Sequence, residues 1–302
     1  MNEQNFKIKL LGAALALIPG ILWGISGVFG QYLFQQRGIT PQWLVTVRLL
    51  ISGCLMLTIC LFNNRKMTLI IFRNRQATIK LIIFALFGTM AVQLTYFVSI
   101  NLSNAPTATI LQYLFPILVV AVSAIQQKRL PYFLEITGVI LAVIGTILLV
   151  THGNLKVLNI STTALIWGLL SAVAMAFYTM YPGQLQKQWG SPIVIGWSML
   201  IGGLCLNIFY PFWQFSGTLD TKAFFFIFFI VIFATFISFY LYLVSVTMIG
   251  ATYASLFACI EPLSSAFFSV LWLDLNLTSM DYLGSALILI MMFLLAFPHK
   301  SS

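Results

Sequence analysis

Two ionisable residues of this 302-residue chain, Arg48 and Glu261, stand well inside long apolar runs. A charge surrounded by hydrocarbon is costly, so its presence there points to function by default. Glu261 directly precedes Pro262, whose missing N–H and ring clash disturb a helix and free nearby carbonyls. A carboxyl at such a break can take up a proton or grip a substrate ammonium, or it can serve as a hydrogen-bonded helix anchor. Arg48 has three readings: snorkelling to the outer surface, binding a carboxylate, or pairing with Glu261.

Around them the deepest polar and amphipathic groups are Trp23, Ser26, Gln93, Tyr96, Gln112, Tyr113, Trp167, Tyr178 and Tyr242. As a group they suit an aromatic, mostly uncharged pocket, although each taken singly also fits helix packing or an interfacial belt. Two prolines, Pro116 and Pro262, are expected to break the helices that carry them, a feature that marks midplane binding sites. Catalytic signatures are missing: there is no H-E-x-x-H, no P-loop and no G-x-S-x-G. Cys54, Cys60, Cys205 and Cys259 form no metal-binding spacing, and His152 and His299 lie near membrane ends. No enzyme, cofactor or metal is therefore expected.

The elements that must position these groups are read from composition. Hydrophobic residues make up 61% of the chain and charged residues only 7%, so the polar coat of a soluble domain cannot be assembled. The expected class is an all-α integral membrane protein. Ten apolar runs of spanning length fall at 11–34, 42–62, 79–101, 105–125, 132–151, 162–183, 192–213, 222–247, 251–272 and 279–297. The first run is too long for a signal peptide and lacks a cleavage site. The longest linker, Asn63 to Thr78, reads as a short basic loop, so function must lie inside the bundle. Gly20, Gly24, Gly27 and Gly30 give the first helix a small-residue face suited to close packing.

Loop charges orient the bundle. With the N-terminus inside, cytoplasmic segments hold Lys7, Lys9, Arg65, Lys66, Arg73, Arg75, Lys80, Lys128, Arg129, Lys187 and Lys300, against Arg37, Lys156 and Lys222 outside. The positive-inside rule then places both termini in the cytoplasm of a cell-membrane protein. The net charge of +9 is thus a topology signal, not a nucleic-acid footprint.

An internal repeat organises the runs. A shift of 146 residues carries Tyr96, Val98, Ser99, Ala105, Ala108, Pro116, Ser123 and Gly138 onto Tyr242, Val244, Ser245, Ala251, Ala254, Pro262, Ser269 and Gly284. A shift of 144 carries Trp23-Gly24 onto Trp167-Gly168. The expected halves are 1–152 and 153–302, each with five helices. An odd number makes the second half enter from the opposite side, so the repeat is inverted, a recurring plan of secondary transporters.

The sequence resembles the ten-helix EamA-type members of the drug/metabolite transporter superfamily over its whole length. The resemblance rests on Trp23-Gly24, Arg48, the Ala105 to Pro116 stretch, Glu261-Pro262 and the Asp274 to Gly284 tail. Lys128 departs from it, standing where many relatives carry an acidic residue. The resemblance implies alternating-access transport of a small metabolite, with export of amino acids or drug-like amphiphiles as the first expectation. Uptake or exchange of a nucleobase or amine is the alternative within transport, and an intramembrane enzyme or sensor the alternative outside it. Substrate, possible proton coupling, direction and the choice between monomer and homodimer stay open at this point.

Overall fold

The computed structural model describes residues 3–126, 132–152, 160–249 and 260–296, together with Lys128, Leu130, Ala254, Phe257 and Ala258. All regular structure among them is helical. We number the long helices α1 (Glu3–Arg37), α2 (Pro41–Ile70), α3 (Arg75–Leu102), α4 (Ala105–Gln126), α5 (Phe133–Thr151), α6 (Thr162–Met180), α7 (Ser191–Phe209), α8 (221–249), α9 (Ile260–Leu273) and α10 (Ser279–Ala296). A short helix, Gly183–Trp189, precedes α7.

Among the described residues, seven helices are long and apolar enough to cross a membrane: α1 to α4 and α6 to α8. The apolar stretches Ile136–Leu149, Ile260–Leu273 and Ser279–Met291 of α5, α9 and α10 are shorter. Large apolar side chains such as Ile144, Leu170, Leu204 and Phe224 stand exposed on the bundle surface, where hydrocarbon rather than water is the fitting solvent.

One expectation is corrected. The basic stretch from Asn63 to Thr78 is not a loop: α2 runs on to Ile70 and α3 starts at Arg75, capped by Asn74, whose side chain accepts the Ala77 N–H. Long basic side chains extend a helix past the hydrocarbon while their heads stay in water, which leaves the helix intact. Asp281, in the first turn of α10, is buried and accepts from both Thr278 N and Oγ1 while its other oxygen pairs with His152 Nε2 at 2.9 Å. Cys259, His299, Lys156, Lys300, Arg129 and the side chains of Glu135 and Pro116 lie outside the described residues.

The most extensive packing joins α2 to α7 and α5 to α10, and α1 lies against α8 and α9 while α6 lies against α3 and α4. Exchanging each helix for the one five places later leaves this pattern unchanged. At α2–α7 a methyl on Gly53 would sit 2.7 Å from Leu200 N, and one on Gly203 would sit 2.9 Å from Leu50 N. At α5–α10 a methyl on Gly145 would meet Gly284 O at 2.7 Å, and one on Gly284 would meet Gly145 O at 2.6 Å. Glycine is required at these crossings because the backbones touch. In both pairs rising residue numbers on one helix meet falling numbers on the other, Leu50 and Gly53 against Gly203 and Leu200, and Gly145 and Leu149 against Ile288 and Gly284, so the partners run antiparallel.

The same exchange relates two departures from α-geometry. Phe84–Met90 in α3 and Phe229–Ile237 in α8 are π-helical. In α8 the widened turn lets Thr235 Oγ1 and Ser238 Oγ bond carbonyls five residues back, Ile230 O and Phe233 O, each at 2.7 Å. The 146-residue shift carries Thr89 of the first stretch onto Thr235 of the second.

Candidate functional site

The centre of the bundle collects groups from α1, α2, α3, α4, α8 and α9. Two glycines let α1 into it. A methyl on Gly24 would lie 2.8 Å from Glu261 O, and one on Gly27 would lie 2.8 Å from the Tyr96 hydroxyl. Gln31 Oε1 receives the Ala105 N–H at 2.8 Å and Gln35 Nε2 donates to Ser103 O at 3.0 Å, which ties α1 to the turn between α3 and α4.

Within α4 the regular helix stops at Gln112 and resumes at Phe115. Pro116 follows the break, consistent with its inability to continue the preceding turn. The break turns Tyr113 toward α9, where its hydroxyl donates to Glu261 Oε2 at 2.8 Å. Glu261 is buried in the first turn of the described part of α9, beside Pro262, and the chain before Ile260 lies largely outside the described residues.

Arg48 is buried at 5% exposure, so it does not snorkel. Its guanidinium lies 4.7 Å from the centroid of the Phe97 ring, and its Nε donates to Thr235 Oγ1 at 3.0 Å. No ion pair joins Arg48 to Glu261 among the described residues, although both are buried, as is Tyr96. Tyr96 in turn shares a 2.8 Å hydrogen bond with Thr109. A longer reach and delocalised charge suit Arg for this stacked, partly desolvated place.

The aromatic groups form one chain of rings. Phe84 stacks on Tyr178 at 5.3 Å between centroids, Tyr178 meets Phe239 at 6.5 Å, and Phe239 and Tyr242 meet Trp23 at 5.3 and 5.6 Å. Trp167 is half-buried and takes no part in these ring contacts. Gln112 is buried near the α4 break, and Gln93 is buried with both amide atoms lacking a hydrogen-bond partner. The Trp23 indole N–H is buried and unpartnered as well.

Sequence reasoning missed Thr109, Thr235, Thr89 and Ser198. The last two bond each other, Thr89 Oγ1 to Ser198 Oγ, at 2.8 Å. Thr89 is the 146-residue equivalent of Thr235, and the α2–α7 crossing, where Leu50 and Gly53 answer Leu200 and Gly203, makes Ser198 the equivalent of Arg48. The hydrogen bond between α2 and α8 thus recurs between α7 and α3, with a hydroxyl in place of the guanidinium.

The EamA-like transporter family matches the chain twice, over residues 10–151 and 162–297. The chain belongs to that family. It is therefore a multi-pass membrane transporter of the drug/metabolite transporter superfamily. It is 41% identical over 293 residues to an uncharacterized inner membrane transporter, YicL, of Salmonella typhimurium, covering 96% of each protein. It is also 23% identical over 294 residues to a WAT1-related chloroplastic protein of Arabidopsis thaliana, covering 93% of this chain and 68% of that one. A solved crystal structure superimposes with a TM-score of 0.61 at 15% identity, covering 97% of this chain and 96% of that one, a likeness of fold.

Two grooves are present, the first reaching Pro262 beside Glu261. One, of about 410 Å³, opens between α4, α9 and α10, and the other, of about 750 Å³, opens between the ends of α4 and α6. Both have mostly apolar walls, and neither is lined by Arg48, Gln93 or Glu261.

Proposed function

We propose that the chain is a secondary transporter that exports small amphiphilic metabolites across the cytoplasmic membrane by alternating access. On this reading residues 1–152 and 153–302 are inverted five-helix repeats, giving ten crossings with both termini in the cytoplasm. The observation that carries it is the recurrence of one contact in two places, Arg48 with Thr235 and Ser198 with Thr89. Antiparallel packing of α2 on α7 and of α5 on α10 supports a pseudo-two-fold axis in the membrane plane, which puts the two contacts at opposite depths. Halves that can exchange conformations about such an axis open a shared site to one side and then the other.

The charges break this symmetry. The equivalent of Arg48 is Ser198, and the residue 146 places before Glu261 is Phe115. A single carboxyl at the shared site is thus available to couple movement to a proton, with Tyr113 holding it from the opposite half. The test is counterflow in proteoliposomes against a metabolite panel, with and without a pH gradient. Substrate-dependent flux that Glu261→Gln lowers at least about tenfold, from protein that stays folded, supports the reading. Absence of flux for the whole panel would overturn it in favour of a membrane protein that does not transport.

A further inference from the structure

Buried polar groups are nearly always hydrogen-bonded, and where they are not, the exceptions mark places that something else satisfies. In the central site the charged groups already have partners in the protein: Glu261 has Tyr113, and Arg48 has Thr235 and the Phe97 ring. Two neutral side chains, Gln93 and Trp23, do not. Gln93, 6% exposed, leaves both its Nε2 and Oε1 unbonded, and the indole N–H of Trp23 is likewise buried without an acceptor.

Both side chains lie within one helical turn of the contact between α1 and α3. Helical periodicity puts Gln93 one turn from Tyr96 and Phe97, on the face of α3 that meets α1 through Gly27 and Gly30. Trp23 stands one turn from Gly27 on α1 and next to Gly24, which touches Glu261. The ring of Trp23 begins the aromatic chain through Phe239, Tyr178 and Phe84. A donor and an acceptor side by side on one carboxamide are thus set beside an aromatic wall that includes an additional donor.

Resting on the reading of this centre as the transport site, we propose that the substrate is an uncharged planar heterocycle with a cyclic amide edge. The amide N–H and C=O of the ligand pair with Oε1 and Nε2 of Gln93, a second ring acceptor takes the Trp23 N–H, and the flat face lies on the aromatic wall. This shifts the expected class from zwitterionic amino acids to nucleobase-like rings, because the charges that would hold a zwitterion are engaged within the protein.

Uracil and hypoxanthine are the probes, with pyrimidine, which keeps a flat ring but has no amide edge, and phenylalanine as controls. Each is titrated against the purified full chain in detergent by thermal shift and by equilibrium binding, and tested for counterflow in proteoliposomes. A polar site left without its partner discriminates strongly, so pyrimidine is expected to bind at least about tenfold more weakly than uracil. Gln93→Leu removes that preference and Trp23→Phe lowers it, while the melting temperature without ligand reports that each variant folds. Gln93→Glu, which keeps the size but not the donor, gives a second check should Gln93→Leu fail to fold. Equal binding of pyrimidine and uracil, an unchanged preference in the Gln93 variants, or no binding of either cyclic amide overturns the proposal. Phenylalanine flux that depends on Glu261, without flux of the cyclic amides, overturns this substrate class and leaves the transport reading standing. Cyclic-amide binding that needs Gln93, without flux of any compound, does the reverse.

Discussion

Tyr113 of α4 donates its hydroxyl to Glu261 of α9 at 2.8 Å, across 148 residues of sequence. The bond joins the two stretches of chain that match the family separately, and it exists because α4 is interrupted at Tyr113 and Leu114. On the proposed alternating-access reading, it would make this carboxyl sensitive to motion of one stretch against the other. Glu261→Gln keeps the size and the hydrogen bond but removes the charge. It is expected to leave the melting temperature within a few degrees of the parent and to lower counterflow at least about tenfold. Tyr113→Phe is expected to cost about 1–3 kcal/mol through an unpaired acceptor, read as a lower melting temperature. An unchanged transport rate for Glu261→Gln would remove this carboxyl from the mechanism.

The equivalence of Arg48 and Ser198 leads to an asymmetric expectation. Thr235→Val removes the acceptor of a buried guanidinium, whereas Thr89→Val removes the partner of a hydroxyl. Hydrogen bonds to charged groups are worth roughly twice as much as neutral ones, so Thr235→Val is expected to lower the unfolding midpoint more than Thr89→Val. Arg48→Lys keeps the charge but loses the planar stack on Phe97, and it belongs with Thr235→Val rather than with the parent. Equal midpoints for the two threonine variants would show that the two contacts carry the same load despite the difference in charge.

How far these relationships were legible differs from residue to residue. The seven helices of spanning length among the described residues were readable because a bilayer demands long apolar runs. The continuation of α2 past Asn63 was not, because Arg65 and Lys66 look like loop residues until the helix that carries them is seen. Arg48 and Glu261 stood out as charges in apolar sequence, but their partners did not. Thr235 lies 187 residues from Arg48 in a phenylalanine-rich run, and a lone threonine there looks like filler. The paired π-helical stretches left no readable trace, since they depend on which carbonyl a hydroxyl selects after packing. The 146-residue shift that aligns Thr89 with Thr235 was the one available signal, and it becomes informative only when both bonds are on view.

Gly24 tests how closely α1 must approach α9. A methyl there would meet Ser264 Cβ at 2.6 Å and the backbone atoms Glu261 O and Ser265 N at 2.8 Å, and backbone cannot step aside. Gly24→Ala is expected to destabilise by about 1–3 kcal/mol and to depress transport as α1 is pushed off the site. Gly183→Ala is the control, because nothing lies within 4 Å of the added methyl. A parent-like melting temperature for Gly24→Ala would mean that α1 and α9 are packed less tightly than described.

The loop between α1 and α2 is latched to the segment before α8. Arg37 reaches Asp220 at 2.9 Å, Thr218 N donates to Arg37 O, and the Trp43 indole donates to Phe212 O at 2.7 Å. The Ala223 backbone N–H first, and the Arg37 guanidinium second, hold the Asp220 carboxyl below the usual carboxylate range. A carboxyl whose value is lower in the folded than in the unfolded chain stabilises fully above the unfolded value, near about 3.9, and loses that contribution as pH falls through the folded value. The latch therefore stays closed throughout the range between about pH 5 and 8, and any transport change there has another origin. Asp220→Asn keeps the N-cap acceptor for Ala223 and removes the ion pair alone. The variant is expected to melt below the parent at pH 7, with a gap that narrows as the pH is lowered toward 3. A gap that stays constant over that interval would assign the effect to something other than the Arg37–Asp220 charge pair.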